Sequence, residues 1–106
     1  MNIDFQINGT TITGIFSGEL DHHSSADARE RTDTMLNLGI YNHLIFDFSN
    51  LSFMDSSAIA VIMGRFKRLD ALGGKVTVIT KNPRITRILR MSGIDKYVSI
   101  NEESEK

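Results

Sequence analysis

Asp55, Ser56 and Ser57 stand where a short apolar strand passes into an apolar-striped helix, in the stretch "FMDSSAIAVIMGRFK" at 53–67. A helix N-terminus leaves its first N–H groups unpaired, and a serine or aspartate side chain can accept from one of them. One serine hydroxyl is enough for that cap, and Asp55 favours the positive end of the helix whichever serine provides it. The second hydroxyl is therefore open to chemistry of its own. As a phosphoacceptor it would add about −1.5 to −2 charges and three acceptor oxygens at a helix start whose free N–H groups can hold them. Such a group leaves the fold intact, yet it opposes a partner whose contacting surface is acidic or closely fitted. As a nucleophile, Ser57 would need a histidine and an aspartate, making a small Ser/His hydrolase. The chain has no G-x-S-x-G elbow, and no second motif suggests an oxyanion hole.

Asp21, His22 and His23 also invite a metal or catalytic role. In an extended segment adjacent side chains point to opposite faces, so the two histidines are poorly placed to share one ion, and the trio reads as a polar strand end. "GGKVT" at 73–77 lacks phosphate-loop spacing and leads from a helix into a strand, the reverse of what that site requires. Arg65, Lys67 and Arg68 read as a solvated basic helix face, part of which could complement an acidic partner. Met63 belongs to an apolar stripe that reads as core.

The elements that must position these residues follow from periodicity. Ile3, Phe5 and Ile7 alternate, and so do Ile12, Gly14 and Phe16, on either side of Asn8-Gly9, a pair that accepts positive φ at both positions; the chain begins with a β-hairpin. A helix is expected over 24–38, with Ala28, Met35 and Leu36 inward. "HLIFDF" at 43–48 reads as a central strand buried on both faces. From Ser57 to about Leu72 a second helix turns Ile59, Ile62, Met63, Phe66 and Leu69 inward, and Gly73-Gly74 stops it. "KVTVIT" at 75–80 is strand-like. Asn82 then caps a third helix with Pro83 at its first position, Ile85, Ile88 and Leu89 inward and Gly93 as a left-handed stop. Arg87 and Arg90 lie near its negative end. "YVSI" at 97–100 closes the series. Strand-helix-strand repeats imply right-handed crossovers, so the fold class is α/β: a mixed, mainly parallel sheet with an N-terminal hairpin and helices packed against it.

Composition sets the outer bounds. The 106 residues make one domain, 1–100, followed by a polar tail, 101–106, expected to fray. With 12 Lys+Arg against 13 Asp+Glu the net charge is −1, which gives no electrostatic case for nucleic acid or a membrane surface. There is no cysteine, hence no disulfide, thiolate metal site or thiol catalysis. The start "MNIDFQINGT" has no signal-peptide character, and no apolar run nears spanning length, so cytoplasmic residence is expected.

"SGELDHH" at 17–23, "LSFMDSSAIAVIMGRFK" at 51–67 and "MSGIDKY" at 91–97 together resemble the anti-sigma factor antagonists of the STAS domain family, the sporulation anti-sigma-F type in particular. The resemblance runs from about residue 10 to residue 100, and its centre is the "FMDSS" that leads into an apolar helix. It implies a binding module with no catalysis and no cofactor of its own. In the family, the unphosphorylated antagonist binds a serine kinase that is itself the anti-sigma factor, and so frees a sigma factor. The kinase uses ATP and magnesium to phosphorylate the second serine of "DSS", and a metal-dependent serine phosphatase resets the switch. Carried onto this chain, the acceptor is Ser57, while Asp21, Asp55, Ser56 and Ala58 form the surrounding partner-binding loop. The choice between the two serines rests on the resemblance alone. Family members commonly have glycine where this chain has Ala58 and Ala60, which stiffens the helix start by roughly 1 kcal/mol per position. The alternatives are a partner switch acting on a target other than a sigma factor and, from another class, the Ser/His hydrolase.

Overall fold

In the computed structural model, residues 1–103 are described. β1 (Asn2–Asn8) and β2 (Thr11–Leu20) form the hairpin, followed by α1 (Ser25–Asn37), β3 (His43–Met54), α2 (Ser57–Asp70), β4 (Lys75–Thr80), α3 (Pro83–Met91), a 3-10 turn over Ile94–Lys96, and β5 (Ser99–Glu102). The element order is the expected one. The hairpin turn falls one residue later than read: Asn8 pairs with Thr11, so the loop is Gly9-Thr10. Of these two, Gly9 alone has positive φ, at 62°, because a two-residue turn with glycine first does not need it at the second position. β5 starts two residues later than expected and takes in Asn101 and Glu102, the first part of the presumed tail; positions 104–106 lie outside the described residues.

The sheet order is β1-β2-β3-β4-β5, antiparallel in the first pair and parallel thereafter. All three crossovers step the same way across the sheet, so right-handedness puts all three helices on one face. This corrects the expectation for 43–48. β3 is buried on its helix-facing side through Leu44, Phe46 and Phe48, while Ile45 and Asp47 on the other side are only half-buried. The core lies between sheet and helices around Phe16, Phe46 and Phe48, whose rings meet at 5.2–5.8 Å.

α2 is also rotated from the stripe read in the sequence. Ala58, Val61, Ile62 and Leu69 are buried, with Ile59, Met63 and Phe66 packed along the margin. Arg65 is drawn inward as well: its side chain is 12% exposed and its Nε lies 3.1 Å from Asp33 Oδ1 on α1. Arg68 reaches the same carboxylate at 3.6 Å and donates to Asn37. The supposed basic face is thus largely a tie between α1 and α2, with Lys67 left exposed. α3 matches its reading, with Asn82 Oδ1 accepting from the Arg84 N–H at 2.9 Å.

Candidate functional site

β2 and β3 run together past the end of the β3–β4 ladder, which stops at Asp47 and Ile79. Irregularities in the β2–β3 register, between Ile15 and Ser17 and again between Gly18 and Glu19, bend this two-stranded extension. Asp47 Oδ1 supports the first, accepting from Ser49 N–H at 3.0 Å and from its hydroxyl at 2.6 Å. Ser52 supports the second by donating to the Gly18 carbonyl at 3.0 Å. Leu20 and Met54 pair at the tip, so the residues that follow, Asp21 and Asp55, emerge side by side.

Each aspartate organises its own helix start. Asp21 Oδ1 accepts from the His23 and Ser24 N–H groups at 2.9 and 3.1 Å, and Ser24 Oγ accepts from the Asp21 N–H at 3.0 Å. Asp55 Oδ1 accepts from the Ser57 N–H at 2.8 Å, and its Oδ2 accepts from the His22 N–H at 3.1 Å. One carboxylate thereby caps α2 and binds the β2–α1 loop. Ser56 makes no capping bond with its side chain. Sequence logic had assigned that bond to a serine, but the aspartate one position earlier reaches it instead.

The electrostatics agree with this geometry. Burial pushes the Asp55 carboxyl up, but the Ser57 N–H, the Ser57 hydroxyl beside it and the His22 N–H outweigh burial and the nearby Asp21 charge, holding it below the ordinary value. Asp21 is likewise held low: slight desolvation is overcome by the Ser24 and His23 N–H groups, the Ser24 hydroxyl and the His23 imidazole.

The helix start offers less to an anion than its position suggested. The Ser57 N–H is held by Asp55, the Ala58 N–H donates to the Asp55 carbonyl at 3.1 Å, and the Ile59 N–H to the Ser56 carbonyl at 3.1 Å. These three groups are not free to cradle a phosphate. Ser56 is exposed, Ser57 half-buried and Ala58 wholly buried, so Ala58 is a core residue and not part of a contact surface. Ala60 carries its methyl to the surface.

His22 and His23 occupy a turn rather than an extended segment, and their rings meet edge to face at 5.7 Å. Among the described residues, the ring hydrogen bond of a histidine joins His43 to Thr77 at 2.8 Å, far from the serine loop in sequence and on the sheet. Asp55 engages the backbone of His22, not its ring, so the Ser–His–Asp chain of a hydrolase is not assembled. One feature of the site went unread in the sequence. Phe53 is 48% exposed beside the serine loop and lines a cleft of about 120 Å³ with Asn82, Arg84 and Ile88. The signal was present, since Phe53 and Met54 are adjacent in a strand and only one can face the core.

A one-sided, sequentially ordered sheet that presents a serine-bearing helix start at its carboxyl edge defines a small α/β domain. The chain belongs to the STAS domain family, whose model matches residues 2–106. It is 42% identical over 84 residues to the anti-sigma F factor antagonist of Paenibacillus polymyxa, covering 79% of this chain and 72% of that one. It superposes on the anti-sigma factor antagonist SpoIIAA in its unphosphorylated form with a TM-score of 0.82 at 27% identity, over 96% of this chain and 90% of the other. On the Bacillus cell fate determinant SpoIIAA in the phosphorylated form the TM-score is 0.73, again at 27% identity, over 96% and 93% of the two chains. These relatives are named for antagonising a regulator, not for a reaction they catalyse.

Proposed function

We propose that this protein is a phosphorylation-gated anti-sigma factor antagonist. Unphosphorylated, it binds an anti-sigma factor serine kinase in the cytoplasm and frees a sigma factor of the sporulation type. Phosphorylation of Ser57 by that kinase, with ATP and magnesium, ends the interaction, and a metal-dependent serine phosphatase restores it. The observation that carries this reading is the capping of α2 by Asp55, which leaves the serine hydroxyls free of that structural duty. A phosphate on Ser57 finds the first N–H groups of α2 taken and two carboxylates, Asp21 and Asp55, close by. Its charge is directed outward, into whatever surface covers the loop. Phe53 and its cleft supply an apolar contact beside that charge, of the kind that anchors a partner. Ala60, at the surface of the first turn, bounds how closely the partner approaches.

The test is a pair of baits, Ser57→Ala and Ser57→Glu, in lysate of the source organism with ADP present, the retained proteins being identified by mass spectrometry. The alanine bait is expected to hold an ATPase-type serine kinase that the glutamate bait loses. Equal retention by both, or no kinase on either, removes Ser57 charge as the gate.

A further inference from the structure

The sheet has two edges, and they differ. β5 is four residues long and ends in Asn101-Glu102, a short acidic edge of the kind that resists pairing. β1 is seven residues, "NIDFQIN", with Asp4 its one charge and neither proline, lysine nor bulge to blunt it. Read backwards the strand is "NIQFDIN": apart from the exchange of Asp4 and Gln6 it is a palindrome about Phe5.

The hairpin register fixes which backbone groups β1 presents outward. Asn8 and Thr11 close a two-residue loop and so exchange hydrogen bonds, and bonded pairs then alternate along the ladder. Asn8, Gln6, Asp4 and Asn2 bond to β2, while the N–H and C=O groups of Ile3, Phe5 and Ile7 face away from it. The Arg31 guanidinium confirms the direction by donating to the Ile3 carbonyl from outside at 2.9 Å. Strands paired antiparallel about a two-fold axis at Phe5 match these groups throughout: Phe5 with Phe5 of the second copy, and Ile3 with Ile7. The Ile3 oxygen retains a second lone pair for that bond.

The side chains match in the same register. On the helix side, Ile7, 53% exposed, meets the buried Ile3 of the second copy. On the open side, Asp4 stands opposite Gln6 twice, a carboxylate facing an amide donor, with no like charges opposed. The flanking groove between β1 and α1 is lined by Phe5 and Met35 together with Asp27, Glu30 and Arg31, so it offers both signs of charge to its own copy. We infer that β1 is a homodimerisation edge, through which two copies join antiparallel about Phe5 into one continuous sheet. The serine loops, at the far end of β3 and separated from β1 by β2, stay uncovered.

Sedimentation velocity on the full chain across a concentration series tests this. The wild type is expected to pass from monomer to dimer with rising concentration. Gln6→Glu, which sets a carboxylate opposite Asp4 twice, is expected to weaken the dimer about tenfold, and Gln6→Lys to tighten it about tenfold. Gln6 is exposed, and unchanged circular dichroism of both variants verifies the fold. A chain that stays monomeric up to about 1 mM, or a dimer indifferent to the charge at position 6, overturns the inference.

Discussion

Asp55 is the residue on which the site turns, and its role and that of Ser57 separate in stability. Asp55→Ala removes the acceptor of the Ser57 and His22 N–H groups and is expected to cost about 1 kcal/mol, whereas Ser57→Ala stays within about 0.5 kcal/mol. Urea unfolding of the two variants measures the difference. The same carboxylate sets a pH response. Its folded pKa lies below the ordinary 3.8, so its contribution is fully present above that value and is lost as pH falls through the lower folded one. The Ser57 amide resonance is expected to follow the Asp55 carboxyl and to move only in acid below the ordinary carboxylate range. In the sequence, Asp55 and the serine pair could be picked out at a helix start, whereas Asp21, which reads locally as part of a polar strand end, and the choice of Ser57 rest on the family resemblance. The division of labour between Asp55 and the serines could not be read: adjacent aspartate and serine cap equally well, and a helix start shifted by one residue exchanges their roles.

The elements were legible where one local signal dominates. Asn82 followed by Pro83 fixes the start of α3, and Asn82→Ala is expected to lower stability by about 1 kcal/mol, read as a shift of the thermal midpoint by several degrees. β3 was underread because its second half, "SNLSFM", breaks alternation at the irregular register with β2, and no period survives a bulge. The rotation of α2 has a different cause. Apolar residues cover so much of that helix that several faces qualify, and the choice falls to Asp33, which pulls Arg65 inward from across α1. Gly74 illustrates a third limit. It reads as a turn residue, but its backbone packs so tightly that a Cβ would lie 2.8 Å from the Asn42 carbonyl oxygen, a long-range contact that local patterning does not register.

At the scale of the whole molecule, one buried cluster connects β1 to β4 with all three helices, with Ile100 of β5 packed against it, and this predicts one cooperative unfolding transition. The chain has no tryptophan, and its two tyrosines lie apart in sequence, Tyr41 before β3 and Tyr97 before β5. Tyrosine fluorescence and far-ultraviolet circular dichroism are expected to give coincident urea curves; separated midpoints would show that the β5 end unfolds on its own. The α/β class and element order were legible because the strand-helix alternation is strict. The bare sheet face was not, since it depends on every crossover stepping in the same direction, which no single segment encodes. That sequential order also bears on synthesis. Each new strand leaves the ribosome beside the strand made just before it, so the sheet can grow from one edge without waiting for a distant segment. The loop bearing Ser57 is built from β2, β3 and the start of α2, and its parts are all present before α3 is translated. A nascent chain thus holds every residue of that loop before α3 is made, and the shared core closes beneath it only when α3 follows.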